Sequence, residues 1–337
     1  MKRETSRLGP AFPVVSRSAV ASRAAALRRP VAAIAGGLAL LAAAACGSPT
    51  GAAGGSPGGE RPKVLAAFYP LEWVTGRVGG DDVELGTLTA PGVEPHDLEL
   101  TPRQIAEIAQ ADLVVYLKGV QPAVDEAVAE HAPDRSFDVA SVVSTIPPAA
   151  EEHGHDEEAE GHGHEEADYD PHLWLDPSRF ATVATRLGDR LAEADAAHAD
   201  GYRSRAAATA KELTDLDEEM REGLATCAGR TVVTSHAAFG YLADRYKLKQ
   251  VGISGIDPES EPSPARLAEV AKVAKQEKVT TIFTEELVNP KVAEVLAAEV
   301  GAKTEVLNPI ESRPETGDYL SAARENLARL RTALGCS

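Results

Sequence analysis

Short apolar runs and amphipathic stretches alternate along most of this chain. In the first half, residues 64–68, 83–88, 113–117 and 137–139 are rich in Val, Leu and Phe and read as strands. Helix-like stretches separate them, at 71–78, from Thr101-Pro102 onward, and at 122–130. Thr101-Pro102 supplies an N-cap followed by a proline at the first helical position. The second half repeats the alternation. Strands are expected at 231–234, 248–253, 280–283 and 304–307, and helices at 237–245, 263–276, 290–299 and 317–334. Such alternation predicts an α/β fold with mostly parallel sheets, in two lobes. Two more helices lie between the halves. One starts at Asp176-Pro177-Ser178 and runs to about 194. The other spans 198–226, has no internal proline, and places Leu213, Leu216, Met220 and Leu224 at helical spacing. At roughly 1.5 Å per residue it would extend about 40 Å, long enough for a rigid spine between lobes.

Two regions break the pattern. Residues 147–171 lack apolar periodicity and are dominated by Glu, Asp, His and Gly, as expected of a solvated loop. At the N-terminus, Arg28-Arg29-Pro30 precedes the uncharged apolar run 31–45, which is short for a membrane span and suits a signal peptide. Cys46 follows Ala43-Ala44-Ala45, as in a lipoprotein cleavage site with Cys46 as the lipid-modified residue, although Leu is usual where Ala43 stands. Residues 47–62 are rich in Gly, Ser, Pro and Ala and read as a flexible tether. The expected organisation is a signal peptide (1–45), a lipidated cysteine and tether (46–62), an N-terminal lobe (63–195) carrying the loop, a linking helix (196–228) and a C-terminal lobe (229–337).

Composition narrows the function. Aromatic residues make up only 4%, too few for a platform that stacks nucleic-acid bases, and the net charge of −18 repels nucleic acid and attracts cations. Solubility alone would also account for the charge. If Cys46 is lipidated, Cys227 and Cys336 remain as a pair, which outside the cytoplasm favours a disulfide.

The histidines change the picture most. His96, His172 and His236 each stand alone, at a strand-end loop or a helix entrance, in Val-Glu-Pro-His-Asp, Asp-Pro-His-Leu-Trp-Leu-Asp-Pro and Thr-Ser-His-Ala-Ala-Phe-Gly-Tyr. A lone histidine is more often structural or exposed than a ligand. Three at such positions can meet, because open α/β sheets bind ligands beyond the carboxyl ends of their strands. Neutral imidazole is a preferred zinc ligand, and three leave a tetrahedral site one ligand short. Glu311, after strand 304–307, is the first candidate; Glu285, after strand 280–283, and a water are rivals. Three nitrogens favour Zn²⁺ over Mn²⁺, which prefers more oxygen ligands. Four further histidines, His153, His155, His162 and His164, form two His-Gly-His units in the acidic loop. They read as a mobile, weaker chelator, the plain alternative being a solvated loop.

Taken as a set, Gly-Val-Glu-Pro-His-Asp, Asp-Pro-His-Leu-Trp-Leu-Asp-Pro, Ser-His-Ala-Ala-Phe-Gly-Tyr and Val-Leu-Asn-Pro-Ile-Glu resemble the metal-binding lipoproteins of ABC importers for zinc and manganese, the TroA-like family, from about residue 63 to 334. The resemblance implies two lobes joined by a long helix, with metal in the inter-lobe cleft on His96, His172, His236 and Glu311. Manganese members tend to carry a carboxylate where His236 stands, so the resemblance is to a zinc member, with the loop matching the family's His-rich loop. It further implies a non-catalytic, monomeric receptor, lipid-anchored on the outer face of the cell membrane, that delivers Zn²⁺ to an ABC permease. No Gly-x-x-x-x-Gly-Lys-[Ser/Thr] motif is present, so the ATPase would be a separate subunit. The rival readings are a manganese-type receptor, a zinc hydrolase, and a surface protein that binds host or matrix molecules with structural zinc. Against the hydrolase stands the lack of His-Glu-x-x-His.

Overall fold

The computed structural model describes residues 61–148 and 168–337. Cys46 and the histidines His153, His155, His162 and His164 lie outside the described residues.

The first half is β1 (Lys63–Ala66), α1 (Tyr69–Gly79), β2 (Glu84–Thr87), α2 (Pro102–Gln110), β3 (Leu113–Tyr116), α3 (Pro122–His131) and β4 (Ser136–Asp138). From residue 168 onward come α4 (Pro177–Ala194) and α5 (Ala199–Gly223), then β5 (Thr231–Thr234), α6 (Gly240–Tyr246), β6 (Lys249–Gly252), α7 (Pro264–Gln276), β7 (Thr281–Thr284), α8 (Lys291–Val300), β8 (Lys303–Val306) and α9 (Tyr319–Leu334). Each half forms a four-stranded sheet, ordered β2-β1-β3-β4 and β6-β5-β7-β8, with every pairing parallel. The two halves therefore share strand order, although their sequences show no such repeat. β5 and β7, central in their sheet, are buried throughout, while the edge strands β2, β6 and β8 are partly exposed. This is the burial expected of parallel sheets covered by helices.

The caps follow the sequence signals. Thr101 and Gln104 form a reciprocal capping box at α2, Asp176 accepts the main-chain N–H groups of Ser178 and Arg179 at α4, and Ser263 caps α7. The helix expected over 198–226 is α5, which packs on α1, α4 and α9. One hydrophobic cluster joins residues of both halves, from Val64 of β1 through Leu216 of α5 to Leu330 of α9. A second, smaller cluster lies under α7 and α8. Cys227 and Cys336 are joined by a disulfide, 109 residues apart in sequence. Among the described residues, no helix is long and apolar enough to cross a membrane.

Three local expectations change. The helix expected from 237 starts at Gly240, after a turn in which the N–H of Ala237 donates to the carbonyl of Gly255. The strand expected over 137–139 ends at Asp138, whose carboxylate accepts the N–H of Ala140 and starts a 3-10 turn. The loop expected over 147–171 does not stay solvated to its end: Asp170 is buried, and its N–H bonds the carbonyl of Ile146 at 2.9 Å. That bond closes the two ends of the segment onto each other.

Candidate metal centre

His96, His172, His236 and Glu311 arrive at one point from four separate segments. His96 lies on the long connection after β2 and His236 in the turn after β5. Glu311 follows β8, and His172 immediately precedes a 3-10 turn leading to α4. The strand-bound three sit beyond the carboxyl ends of parallel strands, where the backbone leaves a crevice. Each residue offers one atom, and these four atoms all lie within 4.8 Å of one another.

The facing atoms are the three Nε2 nitrogens and Glu311 Oε1. Oε1 stands 3.6 Å from His96, 3.5 Å from His172 and 3.7 Å from His236, and the Nε2 atoms of His172 and His236 are 3.4 Å apart. Ligand atoms at roughly 2.0–2.2 Å from a tetrahedral ion stand about 3.3–3.6 Å from one another. Glu311 Oε1 and His96 Nε2 are both buried without a hydrogen-bond partner. Orphaned buried polar atoms are costly, and such a pair aimed at one point suits a cation.

A further set of carboxylates aims the imidazoles. Asp170 Oδ1 lies 2.8 Å from His172 Nδ1 and accepts the main-chain N–H of His172 at 2.9 Å. Glu285 does the same for His236, with Oε2 2.6 Å from Nδ1 and Oε1 accepting the N–H at 3.1 Å. Occupying Nδ1 leaves Nε2 as the free nitrogen turned inward. Glu285, the rival fourth ligand, thus stands behind His236 instead of beside Glu311. Glu94 Oε1 accepts the N–H of His96 at 3.3 Å.

The charges of the cluster are interdependent. Burial pushes the Glu311 carboxyl up, but the three imidazoles around it outweigh burial and hold it well below the usual carboxylate range. Burial pulls His236 down, yet the charge of Glu285 and then Glu311 raises it well above an ordinary imidazole. His172 is raised in the same way by Asp170 and Glu311 against its burial. Glu94 is pushed up to about 8, by burial first and by the nearby charge of Glu311 second. Sequence reading missed the parts played by Asp170, Glu285 and Glu94. A signal for two of them is present: acid-Pro-His occurs at Glu94-Pro95-His96 and at Asp170-Pro171-His172. In both, the acid caps the histidine's own N–H.

Two parallel α/β sheets whose strand ends carry a His₃-carboxylate cluster form a scaffold with a candidate metal centre. The chain belongs to the family described as "Zinc-uptake complex component A periplasmic", whose model matches residues 64–333. It is 35% identical over 278 residues to the zinc-binding lipoprotein AdcA of Streptococcus pneumoniae, an alignment covering 80% of this chain and 55% of AdcA. The chain thus spans about half the length of that relative. It is 34% identical over 304 residues to the high-affinity zinc uptake system protein ZnuA of Bacillus subtilis, covering 87% of this chain and 94% of ZnuA. Among solved structures, the Zn(II)-bound ZnuA-like domain of Streptococcus pneumoniae AdcA matches with a TM-score of 0.67 and 32% identity, over 81% of this chain and 99% of that domain.

Proposed function

We propose that this chain is an extracytoplasmic receptor that captures Zn²⁺ on His96, His172, His236 and Glu311 and delivers it to an ABC permease served by a separate ATPase. The observation that carries the reading is the convergence of three Nε2 atoms and one carboxylate oxygen on a single buried point, two of the four without any other partner. The names of AdcA and ZnuA support zinc as the cargo. A set of three nitrogens and one oxygen is also chemically suited to Zn²⁺ and poor for Mn²⁺. Glu311 fills the position that a catalytic zinc keeps open for water, which favours a carrier over a hydrolase.

In this reading residues 63–195 and 229–337 act as the two lobes and 196–228 as the spine between them. The chain works as a monomer, held at the outer face of the membrane by a lipid on Cys46, the lipoprotein name of AdcA supporting the anchor. His153, His155, His162 and His164 act as an accessory chelator. Their segment is tied at its base by the Asp170–Ile146 bond, two residues from His172. That position suits delivery of weakly held zinc to the cleft.

The test is a competition titration of zinc-stripped protein against a chelator of known affinity. One tight equivalent is expected, with X-ray absorption at the zinc edge reporting three nitrogens and one oxygen. Unchanged affinity in all of His96→Ala, His172→Ala and His236→Ala would overturn the assignment.

A further inference from the structure

A carboxylate ligand is only as well placed as the backbone that aims it. Glu311 follows Ile310, whose φ is +60°. A β-branched residue is sterically disfavoured in this left-handed region, and such a conformation persists only where its surroundings over-determine it. Here they do. Asn326 of α9, 1% exposed, bonds both main-chain groups of Asn308. Its Oδ1 accepts the Asn308 N–H at 3.0 Å, and its Nδ2 donates to the Asn308 carbonyl at 2.6 Å. The side chain of Asn308 in turn accepts the N–H of Ile310 at 2.6 Å. The buried Trp174 indole also donates to the carbonyl of Pro309 at 2.7 Å. Proline has no N–H, so every main-chain polar group from Asn308 to the Ile310 nitrogen is tied down.

We infer that Asn326 is a positioning and selectivity residue for metal capture, because it locks the strained Asn308–Ile310 turn that presents a single oxygen of Glu311 to the three imidazoles. The inference rests on the zinc-receptor reading above. Asn326 itself lies outside the set of converging side chains and acts only through Asn308. A carboxylate held at one oxygen suits a small tetrahedral ion. One free to swing can offer both oxygens, which larger or oxygen-preferring ions exploit. Releasing the turn should therefore cost affinity for Zn²⁺ more than for Mn²⁺.

The experiment uses the full chain with Zn²⁺, Mn²⁺ and Co²⁺ as probes, and Glu311→Gln as the reference for a lost ligand. Asn326→Leu removes both hydrogen bonds to Asn308. It should lower zinc affinity by roughly 10–100-fold, the usual effect of losing a partner behind a ligand. It should lower manganese affinity less, and weaken the tetrahedral visible absorption of the cobalt-loaded protein toward that of Glu311→Gln. Adding Ile310→Gly, which adopts positive φ without strain, should recover much of the lost zinc affinity, since the turn then needs less restraint. A role limited to packing would lower the melting temperature and would not be rescued by a glycine 16 residues away. Wild-type zinc affinity and cobalt spectrum in Asn326→Leu, or a loss that Ile310→Gly leaves untouched, overturns the inference. If Asn326→Leu does not fold, Trp174→Phe removes the other restraint on the turn and keeps an aromatic ring against Phe68; an unchanged cobalt spectrum there overturns it equally. Full zinc affinity in Glu311→Gln sinks the four-ligand reading itself, and so separates the two failures.

Discussion

The deep side of the metal centre and its mouth are built differently. His172 and His236 are wholly buried, and each has a carboxylate at its Nδ1 and its main-chain N–H. His96 is 9% exposed at its side chain and sits on a connection whose residues 90–93 are all exposed. The Gly92 N–H of that connection donates to Ser312 Oγ at 2.7 Å, and the His96 N–H is capped by Glu94 at 3.3 Å. The contrast separates two tasks. In the proposed receptor the deep pair is oriented before metal arrives, whereas His96 completes the coordination sphere from its more exposed side.

The largest expected effect therefore belongs to the deep pair. Four ligands share a zinc binding free energy of about 10–16 kcal/mol in structural sites, so one pre-oriented imidazole accounts for roughly 3 kcal/mol. His172→Ala and His236→Ala should each weaken zinc binding by about two to three orders of magnitude. Competition titration checks this. An effect at His236 smaller than that at His96 would contradict a pre-oriented deep pair.

Next come the orienting carboxylates. Asp170→Asn and Glu285→Gln keep shape but remove the negative charge behind each imidazole, and each should cost roughly 10–100-fold in zinc affinity. If the carboxylates served stability alone, both variants would melt earlier when zinc-free yet bind zinc as tightly as wild type.

The same carboxylates set the pH response. Glu285 and Glu311 raise His236, and Asp170 and Glu311 raise His172, so in the proposed receptor zinc competes with protons for these imidazoles. Affinity is then full only above the raised pKa values and falls as pH drops through them, by about tenfold per unit for each proton displaced. Because His236 lies well above 6.5, the decline should begin on the alkaline side of the ordinary imidazole range. Glu311, held low, stays ionised throughout that window. Calorimetry in buffers of different ionisation enthalpy would count the protons released. Glu285→Gln should shift the onset of the decline to lower pH, and a flat affinity from pH 8 to 6 would contradict the scheme.

Much of this was legible in the chain before any coordinates. Val64, Leu113, Val233 and Ile282 announce buried parallel strands by apolar runs, and Asp176 and Ser263 announce helix starts by side chains that compete for backbone N–H groups. What resisted reading was contact between distant segments. The partner of His236 Nδ1 is Glu285, 49 residues on, and only the pairing of β5 with β7 brings them together. The turn before α6 is likewise tied to Gly255, a residue outside any local window. Asp170 was hidden for the opposite reason. It lies at the end of an acidic tract, where a carboxylate reads as one more solvated charge, although the spacing acid-Pro-His already marked it.

The smallest equilibrium effect is expected at His96, where the mouth is tested directly. A ligand on an exposed connection gives back conformational freedom when it is lost, and water can reach the vacated position. His96→Ala should therefore cost only about tenfold in zinc affinity, well below the loss for His236→Ala. The change should appear mainly in the rate of zinc release, because the mouth is the part that closes over the ion. Stopped-flow release into excess chelator separates the two parameters. Faster release with little change in the capture rate supports a mouth that closes last. Slower capture with unchanged release would instead make His96 the first residue to meet the ion, and would reverse the order of assembly drawn from its exposure.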